Sequence, residues 1–232
     1  MTQSGAGPEA SALRALEFVD DGQTLGLGTG RAAAAFVRAL GARVGEGLDV
    51  RGVPTSDATE ALAREVGIPL LELAQAGTLD ATFDGADEVS PDLDVVKGYG
   101  GALVREKIVA ASSRRLVILV GEEKLVEQLG ARGRLPVEVV PFGVPLARRI
   151  LGEMGLPPEV RCDHRGSPIV TDNGNHILDC KVGPIDDPAA LDLRIQALPG
   201  VVGTGIFAGM ADAVVVQRAD RVDVLERPEP RS

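Results

Sequence analysis

Residues 84–107 read DGADEVSPDLDVVKGYGGALVREK. The apolar run LDATFDGAD ends on the carboxylates Asp84 and Asp87, and the short extended run LDVVKG ends around Lys97. A glycine turn, Gly98-Tyr99-Gly100-Gly101, then opens a helix expected from about Ala102, with Glu106 near its start. Strand ends that carry polar residues and lead into helices are the pattern of an open parallel sheet, whose ligands bind outside the carboxyl ends of the strands. DGADE alone reads more readily as an acidic turn, and REK alone as a solvated helix start. Joined by Lys97 and the glycines, with Glu88 alongside, they read as one functional stretch.

Upstream, a helix is expected from Glu9 to Val19, after small polar residues 1–8 that read as frayed. TLGLG (24–28) reads as a short buried strand and Arg31 to Leu40 as an alanine-rich helix, with GLGTG (26–30) as the loop between them. The glycines give GxGxG, and Arg31 stands where a dinucleotide fingerprint would have its third glycine. Asp49 lies where a ribose-binding acid would be, but it belongs to the strand pattern LDVRGVP (48–54). Backbone N–H groups of such a loop suit a phosphate without any nucleotide; the plainer reading is a tight turn with no ligand. Thr55-Ser56-Asp57 offers an N-cap for the helix ATEALAREVG. IPLLEL (68–73) reads as a third strand, LDATFDG (79–85) as a fourth, and RLVILVG (115–121) as another. The last ends at Glu122-Glu123-Lys124, where Lys124 is either a surface lysine or an anion contact. Strands alternating with helices predict α/β architecture, a Rossmann-like, mostly parallel sheet flanked by helices.

Composition changes near residue 130. ARGRLPVEVVPFGVP reads as a linker plus an edge-like strand; the helix LARRILGEMG, the strands EVRCD and HILDCKVG, the helix PAALDLRIQAL and VVGTGIFA follow. This βαββαβ order predicts a smaller α+β, ferredoxin-like domain over 131–206. ADAVVVQ (211–217) returns to the main sheet, so the main α/β domain is expected over 1–130 plus 207–232, with RPEPRS as a disordered tail. TDNGN (171–175) reads as a tight turn.

A chain of 232 residues with 44% hydrophobic and 25% charged residues has room for a sizeable core. With five Phe, one Tyr and no Trp, that core is aliphatic, and stacking platforms for single-stranded nucleic acid are lacking. A net charge of −10 argues against nucleic acid and anionic membranes, and an anionic substrate would need a local basic pocket. Cys162 and Cys180 fit no zinc or CxxC spacing, and His164 and His176 fit no metal motif. No signal peptide or apolar run of the ~20 residues a membrane span needs is present. A reducing, cytoplasmic setting is expected.

The chain resembles ribose-5-phosphate isomerases of type A. The resemblance rests on GLGTG (26–30), PTSDAT (54–59), DGADE (84–88), VVKGYGGALVREKIV (95–109), LPVEVVPFG (135–143), TDNGNHILD (171–179) and LPGVVGTGIF (198–207). Seven ordered segments are far more specific than any one glycine loop. The resemblance implies reversible conversion of D-ribose 5-phosphate to D-ribulose 5-phosphate through an enediolate, with no metal or organic cofactor. It implies Glu106 as the base, Lys97 as stabiliser of the enediolate charge, and Asp84 and Asp87 as proton shuttles. It places phosphate on Thr29, Gly30, Arg31 and Ala32, and the remaining substrate contacts on Gly85, Ala86, Gly98, Tyr99, Gly100 and Lys124. A homodimer, with a tetramer as the alternative, is the implied assembly.

Three departures from the family pattern stand out: Arg31-Ala32 in place of Ser-Thr, Tyr99 in place of the middle glycine, and Arg14 where the first helix often has lysine. Two other functions compete. A non-catalytic phosphosugar sensor would keep GLGTG but has no need of Glu106. A metal-dependent phosphosugar hydrolase would use Asp84, Asp87, Glu88 and Asp92 as oxygen ligands, and Lys97 beside them would compete with the cation.

Overall fold

A computed structural model describes residues 8–227. The expected frayed start and disordered tail lie, but for their innermost residues, outside the described residues. Helix α1 (Pro8–Ala15), strand β1 (Thr24–Leu27), helix α2 (Arg31–Gly45), strand β2 (Arg51–Pro54), helices α3 (Asp57–Glu65) and α4 (Leu73–Ala76) and strand β3 (Ala81–Gly85) open the chain. Short strands β4 (Glu88–Val89) and β5 (Val95–Val96), helix α5 (Leu103–Ala111) and strand β6 (Leu116–Gly121) follow. Next come β7 (Arg134–Val139), α6 (Val144–Glu153), β8 (Pro158–Val160), β9 (His176–Lys181), α7 (Pro188–Gln196), β10 (Val201–Thr204) and β11 (Ile206–Phe207). Strands β12 (Ala213–Gln217) and β13 (Val222–Glu226) end the described chain. The residues group into two units: one runs to Ala86 and takes in Arg105–Lys124 and the chain from Met210, the other is Asp87–Val104 with Leu125–Gly209.

The first unit holds a six-stranded sheet in the order β13-β12-β6-β3-β1-β2. All neighbours are parallel except β13, which pairs antiparallel with β12. Strands covered on both faces read as unbroken apolar runs, and β6 (LVILVG) and β12 (AVVVQ) do so. Alanines on α2 let the helix lie close to the sheet, with Phe36 stacked on Phe83 at 4.2 Å between ring centroids. Both rings are fully buried, and burial of such a side chain contributes about 1.5–3 kcal/mol. The direction of winding reverses between β1 and β3, so the switch point of the sheet falls there.

The second unit holds an antiparallel sheet, β10-β7-β9-β8, whose strands alternate with α6 and α7 in the order βαββαβ. A further antiparallel sheet, β11-β5-β4, belongs to it. The core under the larger sheet joins Leu135, Val137 and Val139 to Ala147, Leu151 and Ile195 from the two helices.

Three expectations are corrected and one strand is added. IPLLEL (68–73) is not a strand: Pro69 has no N–H to donate, pairing with β2 is limited to a bridge at Gly52 and Leu70, and α4 begins at Leu73. LDVVKG does not join the parallel sheet, because five residues between β4 and β5 permit only a hairpin, whereas a parallel crossover needs about a dozen. The strand in LPVEVVP is interior rather than edge-like. Pro136 fits there because its carbonyl accepts from Gly205 N while the Gly205 carbonyl takes its hydrogen from Lys97 N, so no donor is required of residue 136. Strand β13 was not foreseen, since half-buried VDVLE lacks a full apolar run.

Candidate active site

In the first unit, β1 and β3 end side by side at the switch point, and their loops touch. The buried Asp84, 1% exposed, accepts hydrogen bonds at Oδ1 from Thr29 N at 3.1 Å and from Gly85 N at 2.7 Å. The approach is possible because residue 28 is glycine: a Cβ there would stand 2.3 Å from the Asp84 carboxyl carbon. The Thr29 hydroxyl meets those of Thr55 at 2.8 Å, Ser56 at 2.7 Å and Thr59 at 3.2 Å. Thr59 Oγ1 in turn donates to Gly28 O, and Ser56 caps α3 by accepting from Thr59 N. PTSDAT thus buckles the GLGTG loop to the second strand.

Helix α2 starts at Arg31 behind that loop, with no side-chain cap and no acidic residue in its first turn. An uncapped helix N-terminus presents free N–H groups and a partial positive charge to an anion. Arg31 is exposed there, and among the described residues its side chain makes no hydrogen bond or ion pair. Ala32 follows half-buried.

Glu106 lies in the first turn of α5 and is 4% exposed. Val109, on the same helix, packs with Val53 and Leu79. Arg105 pairs with Asp57 at 2.7 Å, an exposed contact worth about 0–1 kcal/mol. Lys124 closes a short 3-10 turn after β6 and is half-buried; Gly85 and Ala86 are half-buried beyond β3.

In the second unit, Asp87 N donates to Val96 O at 2.7 Å, and the Asp87 carboxylate accepts from Tyr99 N at 3.0 Å. Lys97 is 3% exposed; its N–H donates to Gly205 O, and its ammonium stands 5.7 Å from the centre of the Phe207 ring, within cation–π range. The turn that follows closes with Gly101 N donating to Gly98 O at 3.1 Å. Gly98 has φ +103°, and a Cβ on it would stand 2.9 Å from that of Leu103, so both backbone and space demand glycine. Gly100 is exposed.

Tyr99 contributes its amide to Asp87 and turns its ring elsewhere. The phenol donates to Arg134 O at 3.1 Å, and the ring lies 4.6 Å from the Arg134 guanidinium carbon. Burial, with the Glu88 and Asp87 charges adding to it, pushes the phenol up to about 12. Glu88, fully buried, accepts from Gly130 N at 2.6 Å and Arg132 N at 2.7 Å. It is a brace for a loop.

Two groups were missed in the sequence. Arg161 donates to Asp179 through Nε and Nη2 and to the Gly98 and Tyr99 carbonyls through Nη1. Glu138 sits fully buried and accepts from Thr171, Asn173 and Asn175. The only available signals were a charge inside each of the strands EVRCD and LPVEVVP, and a turn, TDNGN, unusually rich in side-chain donors. Cys162 and Cys180 are free thiols; burial, then Asp179, raises Cys180 to about 12. His176 Nδ1 meets Ile169 O at 2.9 Å.

Comparison with known proteins shows the family. The family model for ribose 5-phosphate isomerase A (phosphoriboisomerase A) matches residues 51–221. A ribose-5-phosphate isomerase A of Roseiflexus castenholzii is 52% identical over 221 residues, covering 94% of each chain. The solved ribose 5-phosphate isomerase A of Methanocaldococcus jannaschii superposes with a TM-score of 0.90 at 41% identity, over 94% of this chain and 97% of that one. A D-ribose-5-phosphate isomerase in complex with phospho-erythronic acid superposes with a TM-score of 0.92 at 39% identity, over 95% and 97% of the two chains.

Proposed function

This chain belongs to the ribose 5-phosphate isomerase A family, and from that premise we infer that it interconverts D-ribose 5-phosphate and D-ribulose 5-phosphate, with Glu106 as the base. The observation that carries the reading is the Thr29–Asp84 hydrogen bond at the switch point, which fastens a phosphate-type loop to the first carboxylate of DGADE.

In the proposed reaction the open-chain aldose loses its C2 proton to the Glu106 carboxylate. The C–H electron pair becomes the C1=C2 bond, and the carbonyl pair moves onto O1. Lys97 holds the resulting enediolate charge, a task for a buried, fixed cation in a water-poor setting. Asp84 and Asp87 move protons between O1 and O2, Glu106 returns its proton to C1, and O2 becomes the ketone. A carboxylate suits the shuttle between base and acid. The phosphate is assigned to the α2 N-terminus at Thr29, Gly30, Arg31 and Ala32, where Arg31 offers a two-pronged grip. Gly85, Ala86, Gly98, Tyr99, Gly100 and Lys124 are assigned the remaining contacts. Phospho-erythronic acid, held by the relative named above, carries a phosphate and a planar carboxylate, the two charges that an enediolate of a phosphopentose carries.

A homodimer and a cytoplasmic location belong to the same proposal. The first is supported by apolar side chains left exposed at Phe142, Leu146, Leu193 and Val202, the second by the two free thiols. No helix among the described residues is long and apolar enough to cross a membrane.

Proton exchange tests the reading. In D₂O the wild type should wash deuterium into C1 of ribulose 5-phosphate while isomerising, and Glu106→Gln should lose both together. Isomerisation that survives in Glu106→Gln would move the base to Asp84 or Asp87.

A further inference from the structure

The peptide unit between Gly98 and Tyr99 is gripped from both ends by opposite charges. Its N–H donates to the Asp87 carboxylate at 3.0 Å, and its carbonyl accepts from Arg161 Nη1 at 2.8 Å. The next carbonyl, on Tyr99, also accepts from Arg161 Nη1, at 3.1 Å. Two successive carbonyls aimed at one point repel each other unless a cation stands there. The guanidinium is that cation, and its own aim is set by Asp179, which accepts from Arg161 Nε at 2.8 Å and Nη2 at 2.5 Å. Arg134 Nε also stands 2.8 Å from Asp179 Oδ1 as an ion pair. Burial works against the Asp179 charge, but the Arg161 and Arg134 guanidinium groups outweigh it and hold the carboxyl below its usual range. The Arg161 side chain is only 9% exposed, and its main chain is tied down by Arg161 N to Ile177 O and Ile169 N to Arg161 O. Four directed bonds from one planar fork are a pattern that lysine cannot reproduce.

A glycine turn is where a peptide plane rotates most cheaply. Turning the 98–99 plane over would withdraw the N–H from Asp87 and present a carbonyl oxygen to that carboxylate instead. We propose that Arg161, aimed by Asp179, is a positioning residue that locks this plane and thereby fixes the Asp87 carboxylate for proton transfer. The proposal rests on the assignment of Asp87 to the reaction.

The test is a double-mutant cycle on kcat and KM with the full-length protein. Arg161→Ala should lower kcat about 10- to 100-fold, the scale on which small misplacements of reacting groups act, with KM for ribose 5-phosphate changed less than about twofold. Arg161→Lys should restore part of kcat. In an Asp87→Ala background, Arg161→Ala should cost little more, because residues acting through one another are not additive. Full additivity in that background overturns the proposal, as does a rise in KM at constant kcat. A loss of kcat that tracks thermal destabilisation and is not relieved by Arg161→Lys overturns it too, in favour of a simple strut. Wild-type kcat in Asp87→Ala alone would remove the assignment of Asp87, and the proposal with it; wild-type kcat in Arg161→Ala alone would remove only the positioning role.

Discussion

Asp84 and Arg31 show how differently two residues of the proposed site can be placed. Asp84 is buried and already occupied by backbone N–H groups, so its orientation is set before any ligand arrives. Arg31 is exposed at a helix start with no partner of its own among the described residues, so it spends its charge only on what binds there. Arg31→Ala should therefore raise KM for the phosphosugar well beyond any fall in kcat, by about 10- to 150-fold if a charge-assisted bond of ~1.5–3 kcal/mol is lost. Unchanged kinetics would leave the phosphate to the backbone alone. Tyr99 is the single tyrosine of the chain, so its phenolate absorbance can be followed without interference. It should titrate near 12 in the folded protein, against 10 for a free phenol. A folded value above the unfolded one means a stabilising contribution that is whole below pH 10 and lost as pH rises through about 12. Titration near 10 with the fold intact would contradict the burial of the ring.

Among the elements, the loop ahead of β9 is built on a single carboxylate. Glu138 points into TDNGN from β7 and takes hydrogen bonds from three side chains, two of them buried. Glu138→Ala would strand those donors, so it should cost at least about 1–3 kcal/mol in urea unfolding, the penalty for a buried polar group left unmatched. Glu138→Gln, which keeps an acceptor oxygen, should cost less. Equal stability of wild type and Glu138→Ala would show that water replaces the carboxylate at no loss. TDNGN was legible in the sequence as a turn because asparagine and glycine encode one locally. Its carboxylate was not, since Glu138 is more than thirty residues away and sits in an apolar run that gives no hint of a polar partner.

For the whole molecule, a net charge of −10 keeps chains apart at long range, so the proposed dimer would have to rest on short-range apolar contact. Phe142 is 99% exposed, with Leu146 one helical turn on. If the proposed dimer forms through this patch, Phe142→Ser should shift sedimentation from dimer toward monomer while leaving the melting temperature of the monomeric species unchanged. A dimer that persists at the same concentrations would place the interface elsewhere.

Periodicity, glycine placement and charge at strand ends are local properties, and they were enough for the parallel α/β sheet, the βαββαβ order and the seven segments that mark the family. Where one residue lacks a donor or a connection is too short, local reading misled: Pro69 broke a strand, and five residues between β4 and β5 turned an expected parallel strand into a hairpin. The grip of Arg161 on the 98–99 peptide, the bond from Thr29 to Asp84 and the burial of Glu138 were decided only by the tertiary structure. Each joins residues tens of positions apart, and a hydrogen bond depends on distances of a fraction of an ångström that exist only once the chain has closed around both partners.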